Sequence, residues 1–161
     1  GHLFLALLGY FDERRRELAD ATCTALQLTN FLQDISLDYD KGRIYIPLED
    51  MRRFGVAEED IARRRMTAAF QELMAFEVKR ARDLFGKGLP LTGMIDGLAK
   101  LDVRLFSYGG LAVLDALETG GYDVFTKRPV VTKRRKALLF LQAVRWLLTP
   151  ALRRAEREGT L

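Results

Sequence analysis

Apolar residues recur three and four positions apart along most of this chain, and only four prolines interrupt them. That spacing gathers apolar side chains on one face of a helix, so the chain is constrained to a mainly helical, all-α fold. The pattern predicts helices over 2–9, 11–38, 67–87, 95–118 and 132–148, with shorter turns near 48–54 and 57–64. Pro47, Gly55, Gly86-Lys87-Gly88, Gly120-Gly121 and Pro129 punctuate these segments, as helix breakers should. Ile44-Tyr45-Ile46 is too short for a strand and runs into a proline, so it reads as an extended loop. With no repeat or linker, 161 residues of which 48% are apolar suit a single domain, 1–161, with a real core.

One cysteine, Cys23, excludes an internal disulfide framework and a Cys-rich metal site, and makes a reducing cytoplasm the default. No window approaches the roughly 20 apolar residues that span a bilayer. Gly1-His2-Leu3-Phe4-Leu5-Ala6-Leu7-Leu8 lacks a basic leader and a starting Met, and reads as a helix entered part-way. The chain is therefore expected to be a piece of a longer one. The net charge of +4 hides an asymmetry: residues 125–161 hold 10 Lys/Arg and 2 Asp/Glu. A basic tail beside an acidic body suggests phosphate, a membrane surface or nucleic acid as partner, or simply a solvated basic helix.

The chemistry concentrates in Ala25-Leu26-Gln27-Leu28-Thr29-Asn30-Phe31-Leu32-Gln33-Asp34-Ile35-Ser36-Leu37-Asp38. On a helix Gln27, Asn30, Asp34 and Asp38 fall within an arc of about 80°. Leu26, Leu37 and Phe31 border that stripe, while Leu18, Ala21, Ala25, Leu28, Leu32 and Ile35 take the far face. Thr22, Thr29, Gln33 and Ser36 form an uncharged stripe suited to close helix contact. Such a helix is expected to be packed nearly all round, with two carboxylates facing inward. Two buried like charges one turn apart repel unless a cation compensates them, and oxygen-only ligands suit Mg²⁺. The plainer alternative is a helix end whose acids face solvent. A calcium loop beginning at Asp38 is rejected, because its sixth position is Arg43 and Pro47 lies inside it. Lys41-Gly42-Arg43 then places two cations on a loose turn, where they either cap the helix dipole or meet a diphosphate.

In order and spacing, Gln27 to Asp34, Asp38, and Gly42-Arg43-Ile44-Tyr45-Ile46-Pro47 resemble the second aspartate-rich signature of the squalene/phytoene synthase family. The likeness continues through Leu48 to Val56 and resumes from Gly121-Tyr122-Asp123-Val124-Phe125 to Lys136. It implies an isoprenoid-synthase helical bundle of which this chain is the C-terminal portion, with N-terminal helices missing. It further implies that Asn30, Asp34 and Asp38 bind Mg²⁺, that Gln27 lines the pocket, and that Arg43, Arg128 and, more weakly, Lys41 contact diphosphate. The implied reaction joins two farnesyl diphosphates head to head, with NADPH needed only if the product is squalene. Gln33 and Leu37 stand where many relatives carry Arg and Glu, which looks most similar to the hopanoid-pathway hydroxysqualene branch. A tyrosine that some relatives place near Gly110 is absent.

Elsewhere Arg14-Arg15-Arg16 and Arg63-Arg64-Arg65 read as solvated faces. Lys133-Arg134-Arg135-Lys136 suits peripheral contact with the inner face of a membrane, and the lack of interleaved aromatics argues against nucleic acid. His2 has no evident partner, Cys23 is expected to be buried, and Phe70, Phe76, Phe85, Phe106 and Trp146 are expected in the core. A non-catalytic helical module that binds membranes or anions is the competing class. A head-to-tail prenyltransferase or terpene cyclase is disfavoured by Gln-Leu-Thr-Asn before the acids and Gly-Arg-Ile-Tyr after them.

Overall fold

A computed structural model describes residues 1–149, and the last cations of the basic tail, Arg153, Arg154 and Arg157, lie outside the described residues. The elements are α1 (His2–Leu7), α2 (Glu13–Gln33), α3 (Ile35–Tyr39), α4 (Leu48–Phe54), α5 (Glu58–Ala62), α6 (Ala68–Gly88), a 3₁₀ turn (Leu89–Gly93), α7 (Ala99–Thr119) and α8 (Lys133–Leu148). The described residues contain no strand. Side-chain caps begin three of the four long helices: Asp12 accepts from the Arg15 amide at 3.0 Å, Thr67 from Phe70 at 3.0 Å, and Thr132 from Arg135 at 3.3 Å. Each satisfies an amide that the first turn leaves unpaired.

Helix α2 packs most extensively on α6, α7 lies across both, and α8 leans on α7. The far face of α2 does the packing, with Leu18, Ala21, Ala25 and Leu32 all buried and Thr22, Thr29 and Gln33 beside them. Thr22 comes closest. A methyl group at Gly88 would stand 2.9 Å from the Thr22 nitrogen and 3.0 Å from the Leu18 carbonyl oxygen, so α6 ends in a residue without a side chain. Phe70, Leu73, Met74, Val78, Ala81 and Phe85 of α6 meet Leu114 and Leu117 of α7 in the main core. A smaller cluster of Leu5, Leu18, Leu91, Ile95 and Val103 ties α1 to the 3₁₀ turn.

Three expectations change. The helix predicted over 11–38 is interrupted at Asp34, whose backbone (φ −108°, ψ 11°) ends α2 and restarts as α3. The segments read as turns near 48–54 and 57–64 hold the short helices α4 and α5, which bury Met51 and Ile61. Phe70, Phe85 and Trp146 are core residues as expected, whereas Phe76 is half-buried and Phe106 is 63% exposed.

Candidate functional site

Asp34 sits where α2 gives way to α3, and one turn later Asp38 lies on the same side, both half-buried. The Lys41 and Arg43 amides donate to the Asp38 carbonyl oxygen at 3.0 and 2.9 Å, so the chain folds back over the end of α3. Gly42 takes φ +72° in that turn, a left-handed conformation that a side chain would strain. Arg43 is thereby returned beside Asp38, and both border a shallow crevice with Phe31, Ile35 and Tyr45. Phe31 and Tyr45 stack with centroids 4.0 Å apart and planes within 5°, pinning the extended loop to α2. Asp40 points elsewhere and pairs with Arg64 through both carboxylate oxygens, at 3.1 and 3.0 Å.

Arg128 arrives from 94 residues further along the chain. Its Nε donates to Asp34 Oδ1 at 2.5 Å and a second nitrogen to Oδ2 at 3.1 Å. The hydrogen bond to Asp34 raises the arginine above its ordinary value. The same guanidinium donates to the Gln33 side-chain oxygen at 3.2 Å, and the Gln33 amide donates to the Pro129 carbonyl. Gln33 is thus a clasp for the 128–129 segment, a role missed in the sequence; its place in the uncharged, close-packing stripe was the available signal.

Asp34, Asp38 and Arg43 are brought to one end of α2, and Arg128 joins them. Gln27 and Asn30 lie on the same face of α2 as Cys23, all three exposed, and Lys41, in the turn after α3, is exposed too. This corrects two expectations: α2 is not packed all round, and Cys23 is not buried. His2 does have a partner, Asp20, with Nε2 and Oδ2 2.9 Å apart. Gly110 is buried against Phe85, whose ring occupies the space a side chain there would need. A methyl group at Gly110 would stand 3.0 and 3.1 Å from two carbons of that ring and closer still to a third.

The donors fit a hard dication in kind, since the Asp34 and Asp38 carboxylates and the Asn30 amide all offer oxygen. Among the described residues no three of His, Cys, Asp and Glu cluster to hold a metal by themselves. Any ion there would need water or phosphate oxygens to complete its shell, which is how Mg²⁺ is usually held. A separate cavity of about 710 Å³ lies between α8 and α7, bordered by Arg104, Tyr108 and Trp146, and none of the candidate site residues lines it.

Residues 1–135 match the family model described as squalene/phytoene synthase. The chain is 37% identical over 139 residues to the 15-cis-phytoene synthase of Synechocystis, covering 85% of this chain and 40% of that protein. It is 36% identical over 120 residues to the phytoene synthase of Thermus thermophilus, covering 74% and 41%. Its fold superimposes on the squalene synthase HpnC of Alicyclobacillus acidocaldarius with a TM-score of 0.74 at 40% identity, covering 76% of this chain and 46% of that one. A dehydrosqualene synthase solved with ligand gives a TM-score of 0.74 at 27% identity, covering 81% and 46%. The chain therefore spans less than half the length of each of these proteins.

Proposed function

Because the chain belongs to the squalene/phytoene synthase family, we propose that it forms one wall of an enzyme joining two prenyl diphosphates head to head. The observation that carries this reading is that Asp34 and Asp38, one turn apart, each have an arginine beside them: Arg128, drawn from a distant segment onto the Asp34 carboxylate, and Arg43, which borders one crevice with Asp38. Carboxylates with guanidinium groups beside them suit a metal–diphosphate substrate, because the acids need a cation and the arginines need an anion. Asp34, Asp38 and Asn30 would hold Mg²⁺, which supplies Lewis-acid stabilisation of the departing diphosphate. Arg128 holds Asp34 in place before substrate arrives and is positioned to pass its charge to the diphosphate. Arg43 borders the same crevice as Asp38, and Lys41 adds long-range attraction from an exposed position. Gln27 lies further up the exposed face, where the prenyl chain would run.

Farnesyl diphosphate is the proposed substrate, and the product is squalene, hydroxysqualene or a phytoene-type hydrocarbon. NADPH belongs to the reaction only in the squalene case, so product analysis with and without it separates these outcomes. The product partitions into lipid, so an enzyme of the cytoplasmic compartment making it gains from contact with a membrane surface.

The test uses the full-length protein with farnesyl diphosphate and Mg²⁺. Asp34→Asn keeps shape but removes a charged ligand, and is expected to lower kcat/KM by about a hundredfold or more, roughly 3 kcal/mol. Asp40→Asn, whose partner is Arg64, is expected to stay within a few-fold. Equal losses at both positions would overturn the site. Binding of a prenyl diphosphate analogue that ignores Mg²⁺ would favour the non-catalytic module instead.

A further inference from the structure

The family match ends at residue 135, so nearly all of α8 lies beyond it. This helix seats Leu139, Ala143 and Trp146 inward. Its other side is unusually apolar for an exposed surface: Leu138, Phe140, Leu141 and Leu148 are 52%, 51%, 62% and 74% exposed. At 100° per residue these four, with Ala137 and Val144, occupy an arc of about 160° directed away from the buried seam.

Lys133, Arg134 and Arg145 fall within that arc, and Lys136 lies about 40° beyond its edge. Lys133, Arg134, Lys136 and Arg145 are exposed, residues 133–148 contain no acid, and among the cations of 133–136 only Arg135 is engaged, with Asp115 at 3.4 Å. Lys133 to Lys136 fill the first turn, where the positive end of the helix dipole disfavours them. An external anion reverses that disadvantage. A nucleic acid would satisfy the cations but leave four large apolar side chains in water. An apolar protein groove would cover the leucines and strand the cations. A phospholipid surface meets both needs, with phosphates outside and acyl chains immediately beneath.

We propose that α8 lies flat in the interface of an anionic phospholipid membrane, with Phe140, Leu141 and Leu148 in the acyl boundary and Lys133, Arg134 and Lys136 on lipid phosphates. No helix among the described residues is long and apolar enough to cross a membrane, so the contact is interfacial. The proposal rests on α8 alone and stands apart from the prenyl-transfer reading.

The experiment is cosedimentation of the full-length protein with vesicles of phosphatidylcholine, and of phosphatidylcholine mixed with phosphatidylglycerol. Binding is expected only to the anionic vesicles, and weaker as salt rises. Replacing Lys133, Arg134 and Lys136 together by Gln should weaken it on the order of a hundredfold, at about fivefold per cation. Leu141→Ser with Leu148→Ser should weaken it at least about tenfold with melting temperature unchanged. Prenyl-transfer activity measured in detergent should be the same in all forms. Absence of binding to the anionic vesicles, or full binding by the Gln variant, would overturn the proposal. A lower melting temperature or a changed oligomeric state in the Ser variant, with vesicle binding intact, would show the face to be a protein interface and overturn it equally.

Discussion

Glu77 and Asp50, on α6 and α4, are 2% and 4% exposed and share one guanidinium. Arg80 donates to both Glu77 oxygens at 3.0 and 3.1 Å and to Asp50 at 2.8 and 3.3 Å. Arg80 and Arg53 also flank the Phe76 ring, each 4.7 Å from its centroid. One cation cannot fully compensate two buried anions. Burial, reinforced by Asp50, pushes Glu77 up to about 7 against the pull of Arg80, whereas the Arg80 hydrogen bond holds Asp50 below its ordinary value. A carboxyl raised in the folded state contributes stability that is complete below its unfolded value of 4.5 and lost as pH rises through about 7. Urea unfolding should therefore show a loss on the order of 2 kcal/mol between pH 5 and pH 8 from this group. Glu77→Gln, which is neutral at both, should flatten that part of the profile. Parallel profiles for the two proteins would show that Glu77 does not titrate in this range.

Helices α2 and α6 approach most closely at Gly88. Gly88→Ala would drive a methyl group into Thr22, whose hydroxyl donates to the Leu18 carbonyl at 3.2 Å. Overpacking of this kind costs about 1–3 kcal/mol, and the helix propensity gained from alanine offsets at most about 1 kcal/mol. Gly86→Ala is the control, because nothing lies within 4 Å of a methyl group there. Thermal melts should show Gly88→Ala well below the parent and Gly86→Ala at or above it. Similar shifts for both would mean that the helices can separate without loss. Since α2 carries Asp34 at its end, a displaced α6 should also disturb the candidate site.

Across the whole molecule, the face of α2 bearing Cys23, Gln27 and Asn30 is open to solvent, and Leu3, Leu7 and Phe11 at the neighbouring end are 64–80% exposed. A wall with two carboxylates and, among the described residues, no third acid clustered with them holds a metal from one side only. Residues 1–161 alone are therefore expected to show no turnover of farnesyl diphosphate with Mg²⁺, and to aggregate readily through their exposed apolar surface. The purified chain, assayed alone and then mixed with the N-terminal half of a relative, checks both. Robust turnover by the lone chain would require the metal site to be rebuilt from its own residues.

The all-helical class and the grouping of Asp34, Asp38 and Arg43 were legible in the sequence, because helical periodicity and a tight glycine turn are local properties. So was the division of α2 into a packing face and a polar stripe, though not which stripe is covered: periodicity reports that Gln27 and Asn30 share a side, and only neighbouring elements decide whether that side meets protein or water. The break at Asp34, the clasp of Gln33 on Pro129 and the buried Asp50–Arg80–Glu77 group were decided by the tertiary structure alone. Each depends on residues between 30 and 96 positions apart, or on a backbone bend that no local pattern encodes, and such pairs meet only once the helices have packed.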